Sequence, residues 1–308
     1  MSAISVKNLV KKFGDFKAVD DLSFEITEKR VLGFLGPNGA GKTTTIRLLV
    51  GLSRLESGEI SICGEPVIFG QSKTNRLIGY LPEQPAFYTW MTASEYLSFA
   101  ARASGVTDGL DQRIKKVLHE VDLTEACDKR IGTFSNGMKQ RLGIAQAIIH
   151  KPKVLIMDEP VSALDPIGRR EVLSIIQNLK KEMTILLSTH ILSDVDRICD
   201  DIAIINKGKL IALSPLSELK EKYAKPLLDV EFGSSPAQIV EDLKKEPWVD
   251  HLELNGNSMK IWPGSNKAIE NNLPLRFFTA SKIPVLKYGL VLPEMEDLFI
   301  SLIEKENK

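Results

Sequence analysis

The stretch GPNGAGKT at residues 36–43 decides the fold of this 308-residue chain. It matches the pattern G-x-x-x-x-G-K-[ST], and it lies between the apolar run RVLGFLG at 30–36 and a segment with helical periodicity at 42–50. Glycines let the backbone N–H groups of such a loop curl around phosphate oxygens, and the following helix points its positive end at the same place. The stretch therefore predicts a phosphate-binding loop between a buried strand and a helix.

The same loop predicts where a nucleotide and its metal ion bind. Lys42 supplies a positive charge for the β- and γ-phosphates, and the Thr43 hydroxyl can bind Mg²⁺. The predicted phosphate contacts are Gly36, Pro37, Asn38, Gly39, Ala40, Gly41, Lys42, Thr43 and Thr44.

The segment VLIMDEP at 154–160 reads as a buried strand that ends in two carboxylates. Asp158, at the tip of the strand, is placed to hold Mg²⁺ through water, and Glu159 to polarise an attacking water molecule. Pro160 biases the backbone of Glu159 towards an extended conformation. The alternative is a strand followed by a solvated acidic turn.

The segment FSNGMKQR at 134–141 opens a predicted helix. Ser135 is a good N-cap, and the N–H groups that follow it can form a second anion site. The alternative is a capped helix start with no ligand, because one phosphate-binding loop already serves one nucleotide.

Together these motifs resemble the nucleotide-binding subunits of ABC transporters. The resemblance covers roughly residues 2–215 and includes Gln84 in LPEQ, SALD at 162–165 and His190 in LLSTH, in that order along the chain. It implies ATP and Mg²⁺ as cofactors, ATP hydrolysis, and a head-to-tail dimer that encloses two ATP molecules. The partners would be a second copy, or a homologous ATPase subunit, and a separate transmembrane permease.

The resemblance also implies roles around the nucleotide. Phe13 would stack on the adenine, the alternative being a core aromatic on an early strand. Gln84 would contact Mg²⁺ or the attacking water and relay the nucleotide state to the permease, the alternative being a plain loop residue. His190 would contact the γ-phosphate and orient Glu159.

Three further residues would act across the dimer. Ser135 and Gly137 would bind the γ-phosphate held by the partner, and Asp165 would lie at the dimer seam. The family signature usually begins Leu-Ser-Gly-Gly-Gln, whereas this chain has Asn136 and Met138 at the third and fifth positions. Such a signature, together with the tail PEMEDLFISLIEK, resembles the branch that serves bacterial multidrug, antibiotic and sodium exporters.

The order of strand and helix patterns predicts the architecture. Residues 1–220 read as an α/β phosphate-loop ATPase domain with a parallel core and a helical subdomain at about 88–150. Residues 226–308 read as a small α+β ferredoxin-like domain in the order β-α-β-β-α-β, whose last helix would be EMEDLFISLIEKEN. His119, His150 and His251 are expected to be ordinary surface or core residues.

The composition limits the partners. The chain has 40 basic and 40 acidic residues and a sequence pI of about 6.9, so it lacks the basic surface expected for binding nucleic acid. Its three cysteines are scattered, which argues against a disulfide framework and fits a reducing compartment. No stretch reads as a membrane span or a signal peptide, so we expect a cytoplasmic protein held at the inner face of the membrane by its permease.

The sequence analysis thus predicts the ATPase subunit of an exporter, with two alternatives. One is a soluble ABC-type ATPase that acts on nucleic acid or the ribosome; such relatives usually have two ATPase domains in one chain, long heptad arms or a basic surface. The other is a nucleotide-gated regulatory module in which the C-terminal domain senses a ligand.

Overall fold

The computed structural model describes residues 2–70, 73–223, 227–281 and 283–291. The chain divides into two compact units, residues 1–216 and 217–308. This division lies close to the predicted boundary between 1–220 and 226–308.

The first unit contains ten strands and six helices within its described residues, in the α/β order that the sequence predicted. The strands are β1 (Ser2–Phe13), β2 (Phe16–Thr27), β3 (Val31–Leu35), β4 (Ser57–Ile62), β5 (Glu65–Pro66), β6 (Ile78–Leu81), β7 (Val154–Met157), β8 (Thr184–Thr189), β9 (Asp201–Asn206) and β10 (Lys209–Pro215). The helices are α1 (Lys42–Leu49), α2 (Ala93–Ala103), α3 (Leu110–Glu120), α4 (Asn136–Ile148), α5 (Pro166–Leu179) and α6 (Leu192–Ile198). A further helix, α7 (Leu216–Tyr223), follows at the start of the second unit.

A six-stranded sheet forms the centre of the first unit. Its order is β10-β9-β3-β8-β7-β6, and the pairs from β9 to β6 are parallel. Strands β3, β7 and β8 are buried along their whole length, as expected for parallel strands covered on both faces. Because the carboxyl ends of these strands meet at one edge, the loops that follow them converge there.

A second, antiparallel sheet packs near the first. Its order is β2-β1-β4-β5, and the alternating burial of β2 shows one face turned inward. Side chains from both sheets and from α1 form one apolar core, which includes Phe24 and Phe34 with ring centroids 5.6 Å apart. This core fixes the β1–β2 hairpin relative to the loop between β3 and α1.

Helices α2, α3 and α4 lie within the predicted helical subdomain. A capping box defines the start of α2, because the Thr92 hydroxyl accepts from the Glu95 N–H while the Glu95 carboxylate accepts from the Thr92 N–H. Ser135 caps α4, as the sequence predicted. Most of α4 from Gln140 onwards is buried, whereas Ser135 and Asn136 at its N-terminus are exposed.

The second unit has its own sheet and core. Its elements are β11 (Leu227–Phe232), α8 (Ala237–Lys245), β12 (Val249–Asn255), β13 (Ser258–Pro263), α9 (Asn266–Glu270), α10 (Leu273–Ser281) and β14 (Val285–Val291). The four strands form an antiparallel sheet in the order β12-β13-β11-β14. Trp248 and Phe278 belong to its buried core.

The helices of the second unit differ in part from the prediction. Helix α10 was not predicted, although Leu273, Phe277 and Ala280 have helical spacing, because the segment is only nine residues long and has Pro274 at its second position. The predicted helix at 294–307 lies outside the described residues. The ferredoxin-like assignment stays a prediction.

None of the helices within the described ranges has the length and apolar character that a membrane span requires.

Candidate active site

A cavity of about 370 Å³ opens between the tip of the β1–β2 hairpin and the loop that joins β3 to α1. The loops after β6, β7 and β8 also reach it. Its lining residues are Phe13, Phe16, Ala18, Pro37, Asn38, Gly39, Ala40, Gly41, Lys42, Thr43, Thr44, Glu83, Glu159, Ser162 and His190. The structure therefore brings together all the predicted phosphate contacts except Gly36, which is not among the lining residues and whose carbonyl accepts from Lys42 Nζ.

The loop from Gly36 to Thr43 is shaped for close approach to a ligand. Gly41 has φ of 104°, and a Cβ placed on it would lie 2.4 Å from the backbone oxygen of Ala18. Only glycine satisfies both constraints. Gly41 is also the N-cap residue of α1, so no side chain caps this helix, and its first N–H groups are available to an anion.

Lys42 is buried and folds back over the loop. Its Nζ donates to the Gly36 carbonyl at 2.7 Å and lies 3.3 Å from Oε1 of Glu159. The carboxylate and the ammonium group thus compensate each other inside the cavity. A phosphate group that binds here meets the same ammonium group, because Lys42 lines the cavity.

Glu159 is held from several sides. Its Oε2 accepts from Nδ1–H of His190 at 2.9 Å, and its Oε1 faces Lys42. The backbone of Glu159 is in the left-handed region, with φ of 46°, which is uncommon for a non-glycine residue. The expectation that Pro160 makes Glu159 extended is therefore wrong. The turn is instead a left-handed one that directs the carboxylate into the cavity.

Asp158 is almost fully buried at the end of β7. Its Oδ1 accepts from the Ser188 hydroxyl at 2.6 Å, and the same hydroxyl accepts from the Glu159 N–H at 2.9 Å. The alternative of a solvated acidic turn is excluded, because both carboxylates are buried. Ser188 was not singled out in the sequence, although it stands two residues before His190 in LLSTH.

The pKa values of two groups near the carboxyl edge of the parallel sheet, Tyr80 and Asp194, are raised. Burial, and next the negative charge of Asp158, raise the pKa of the Tyr80 hydroxyl on β6. Burial also raises the pKa of Asp194, and the ion pair with Arg169 partly opposes that effect. That ion pair connects α5 to α6, the helices that follow the Glu159 and His190 loops.

Two side chains near the cavity, Thr43 and Asp158, have oxygen atoms that could bind Mg²⁺. Thr43 lines the cavity, and Asp158 ends the strand beside it. No group of three or more His, Cys, Asp or Glu side chains could hold a metal ion within the described ranges. The Thr43 hydroxyl and the Asp158 carboxylate suit Mg²⁺, which takes one or two protein oxygens and keeps water and phosphate oxygens as its other ligands. Gln84 is exposed and is not among the cavity-lining residues described, whereas Glu83 is.

Two phenylalanines stand at the mouth of the cavity. Phe13 and Phe16 are register partners at the β1–β2 turn, and their exposed fractions are 57% and 64%. The alternative of Phe13 as a core aromatic is therefore excluded. Phe16 was missed, although its place at the other side of a two-residue turn could have revealed it. The ammonium group of Lys11 lies 5.2 Å from the centre of the Phe13 ring.

Ser135, Gly137 and Asp165 form a second group. The Ser135 hydroxyl accepts from the Met138 N–H, and the Asp165 carboxylate accepts from the Gly168 N–H, both at 3.2 Å. A Cβ placed on Gly137 would lie 3.8 Å from the Cα of Gly168, so the N-termini of α4 and α5 are adjacent. The residues that line the described cavity do not include these three.

Comparison with known proteins shows which family the chain resembles. The family profile described as ABC transporter matches residues 19–162. An uncharacterized ABC transporter ATP-binding protein of Bacillus subtilis is 49% identical over 84% of this chain and 85% of its own. The bacitracin transport ATP-binding protein of Bacillus licheniformis is 39% identical over 97% of each chain. The Nod factor export ATP-binding protein I of Burkholderia lata is 30% identical over 99% of this chain and 98% of its own.

A solved structure of an ATP-binding subunit of an ABC transporter has a similar fold. It is 33% identical, covers 72% of this chain and 93% of its own, and superposes with a TM-score of 0.65. Sequence and fold agree, and the chain therefore belongs to the ATP-binding proteins of ABC transporters, a family that hydrolyses ATP.

Proposed function

We propose that the chain is the ATP-hydrolysing subunit of an exporter and drives a separate transmembrane permease by ATP-dependent head-to-tail dimerisation. The observation that carries this proposal is the separation of the α4 N-terminus from the phosphate-binding loop. The phosphate-binding loop lines the cavity, whereas Ser135 and Gly137, at the N-terminus of α4, are not among the residues that line it. A second subunit would bring its own α4 N-terminus to this cavity and complete it.

The neighbourhood of α4 supports this arrangement. The N-termini of α4 and α5 are adjacent through Gly137 and Gly168, so Asp165 and Ser135 present one continuous surface. Helix N-termini attract negative charge, and two of them lie next to each other here. This surface would meet the ATP of the partner, with Ser135 and Gly137 at its γ-phosphate and Asp165 at the seam.

The residues within the cavity suit phosphoryl transfer to water. Lys42 would stabilise the charge on the β- and γ-phosphates, while Thr43, Asp158 and Gln84 would bind Mg²⁺, which neutralises developing charge in such reactions. Glu159 would polarise the attacking water. His190, whose Nδ1–H already donates to the carboxylate, would keep Glu159 in that orientation.

An exposed aromatic patch, defined as Tyr88, Trp90 and Phe99, offers a surface for the permease. The exposed fractions of these side chains are 51%, 66% and 49%. The Tyr88 ring lies 6.0 Å from Trp90 and 5.8 Å from Phe99, measured between centroids, so the three form a contiguous surface. The patch joins the loop that contains Gln84 to α2. Clustered exposed aromatics are typical of protein interfaces.

The relatives and the aromatic patch support export and a location at the membrane. One relative is a Nod factor export protein and another a bacitracin transport protein. The chain would accordingly lie on the inner face of the membrane, held there by the permease. Each cycle of closure and hydrolysis would change the shape of that permease, because ATP binds the closed dimer and hydrolysis removes those contacts.

The head-to-tail dimer is tested by mixing two inactive variants. Lys42→Ala removes the phosphate contact, and Gly137→Asp places a carboxylate at the surface that would receive the partner's γ-phosphate. In a mixed dimer, one site combines both lesions and the other has neither. We expect each variant alone to be inactive and the mixture to recover roughly a quarter of the wild-type rate, given random pairing of subunits. A mixture as inactive as its components would contradict the shared site.

The permease is tested by purification from gently solubilised membranes. A tagged chain should bring down a multi-span membrane protein in near-stoichiometric amount, and Trp90→Ala with Phe99→Ala should reduce that yield. Leu213→Ala, at an exposed apolar residue of β10, serves as the matched control. Recovery with ribosomes or nucleic acid and no membrane protein would support the alternative of a soluble ABC-type ATPase.

A further inference from the structure

One hydroxyl group connects the two acidic residues of the site. Ser188 has no exposed surface, its hydroxyl donates to Asp158 Oδ1 at 2.6 Å, and it accepts from the Glu159 N–H at 2.9 Å. The donor and acceptor capacities of this hydroxyl are thus both directed to residues that act on the nucleotide.

The parallel sheet explains why Ser188 is in reach of both. Strands β7 and β8 pair in parallel, with Met157 beside Leu187. The next residues along the chain are Asp158, which directly follows β7, and Ser188, which lies on β8. Their side chains therefore meet at the carboxyl edge of the sheet. A hydroxyl group on Cβ lies within hydrogen-bond distance of both the Asp158 carboxylate and the Glu159 N–H at this position.

Glu159 needs such a contact. Its φ of 46° is a conformation that non-glycine residues rarely adopt and that persists only where surrounding contacts hold it. The hydrogen bond from its N–H to Ser188 is one of these contacts. The turn that this bond supports directs the Glu159 carboxylate towards Lys42 and His190.

We propose that Ser188 is a positioning residue that locks the Asp158 carboxylate and the left-handed backbone of Glu159 into one rigid unit. This inference rests on the proposed roles of Asp158 at Mg²⁺ and of Glu159 at the attacking water. Ser188 fixes one carboxylate oxygen of Asp158 and so determines how the other is presented. It also fixes the backbone from which Glu159 reaches the water.

The test removes the hydroxyl with the least change in volume. Ser188→Ala should lower kcat about tenfold or more and raise the Mg²⁺ concentration that gives half-maximal hydrolysis, while ATP binding in EDTA should stay within about twofold. Ser188→Thr retains a hydroxyl and should recover most of the activity. A general weakening of the sheet would not shift the Mg²⁺ dependence or be reversed by threonine.

A buried hydroxyl on the same strand provides the control. Thr184 is almost fully buried on β8, and its hydroxyl accepts from the Lys29 N–H at 2.9 Å. Thr184→Val removes this hydroxyl far along the strand from the carboxyl edge, so it should lower stability without changing the Mg²⁺ dependence.

Amide hydrogen exchange gives a readout that is independent of hydrolysis. In Ser188→Ala, the Glu159 amide should lose protection, whereas the amides of β7 should keep theirs. In Ser188→Thr it should remain protected.

The result that overturns the proposal is a Ser188→Ala protein with wild-type kcat, Mg²⁺ dependence and Glu159 protection. Asp158→Asn and Glu159→Gln are measured beside it. If these two variants are inactive while Ser188→Ala is normal, the positioning role alone is wrong. If either hydrolyses ATP at the wild-type rate, the role proposed above for that residue is wrong instead.

Discussion

Lys42 and Glu159 form a buried ion pair, with Nζ 3.3 Å from Oε1, although 117 positions separate them in the sequence. One residue comes from the loop after β3 and the other from the loop after β7. The group that would bind phosphate and the group that would polarise water therefore stabilise each other's charge. A nucleotide phosphate must share or replace the contact that Glu159 makes with Lys42.

The first prediction concerns the stability of this pair. Lys42→Met keeps the apolar stem but leaves the Glu159 carboxylate without its ammonium partner, and we expect a loss of about 3 kcal/mol in the free energy of unfolding. Adding Glu159→Gln should recover much of this loss, because the second change removes the uncompensated charge. Urea unfolding without nucleotide measures both.

A surface pair serves as the control for that cycle. Lys244 and Glu241 lie 3.0 Å apart on α8, and both side chains are mostly exposed. Lys244→Met should leave the unfolding transition of the first unit unchanged, since water screens exposed ion pairs. If the Lys42→Met and Glu159→Gln double variant is no more stable than Lys42→Met, the two charges do not compensate each other.

The second prediction separates two glycines of the phosphate-binding loop. Gly39 and Gly41 both have positive φ, 81° and 104°. A Cβ on Gly39 would meet nothing within 4 Å, whereas one on Gly41 would lie 2.4 Å from the Ala18 oxygen. Gly39→Ala should therefore cost about 1 kcal/mol from backbone strain alone. Gly41→Ala should cost clearly more and displace the loop from the β2 strand.

Thermal and urea unfolding of the nucleotide-free protein measure this difference, because they exclude any contact of the new methyl group with ATP. Equal effects of the two substitutions would show that backbone strain, and not the approach of Ala18, determines the need for glycine at Gly41.

Much of the site could be predicted because its motifs follow strands. In a parallel sheet, the residues after β3, β7 and β8 meet at one edge, so Lys42, Asp158, Glu159 and His190 could be placed together from sequence patterns. Each of them also has a side chain whose chemistry indicates its role. The α/β class of the first unit follows from the same alternation.

The remaining features depend on contacts that no local pattern encodes. Ser188 looks like any serine in a strand until the register with β7 places it beside Asp158. The left-handed turn at Glu159 opposes the local preference set by Pro160, and tertiary contacts override that preference. Phe16 lies at the mouth of the cavity because the β1–β2 hairpin pairs it with Phe13.

The third prediction concerns the two phenylalanines at the cavity mouth. Phe13→Ala should weaken ATP binding about tenfold, which corresponds to the loss of one base-stacking contact. Phe13→Trp should retain affinity, and GTP should bind similarly to ATP, because stacking accepts any base. Phe16→Ala should have a smaller effect on ATP binding. The Phe13 ring keeps its contact with the ammonium group of Lys11 in this variant and can still stack on the base.

Titration calorimetry with ATP and with inorganic tripolyphosphate checks this assignment. Tripolyphosphate has no base, so its affinity should be unchanged in all of these variants. If Phe16→Ala weakens ATP binding and Phe13→Ala does not, the stacking role belongs to Phe16.

The last prediction concerns His150 and pH. Its Nε2–H donates to the Ile78 carbonyl at 3.0 Å, while Nδ1 is buried and has no partner within the described residues. Burial is the main cause that lowers the pKa of His150 from its ordinary value of 6.5, and the charge of Arg113 acts in the same direction. The unfolded chain therefore binds a proton at a higher pH than the folded one. Stability should be fully present above about pH 6.5 and should fall as the pH drops towards the folded pKa.

His150→Gln isolates this effect, because its amide can donate to Ile78 but does not titrate. Its free energy of unfolding should decrease less than that of the wild type between about pH 7.5 and pH 5.5. All other titrating groups are common to the wild type and His150→Gln, so the difference in slope belongs to His150. Parallel slopes for His150→Gln and the wild type would show that the imidazole becomes protonated in the folded protein as readily as in the unfolded chain.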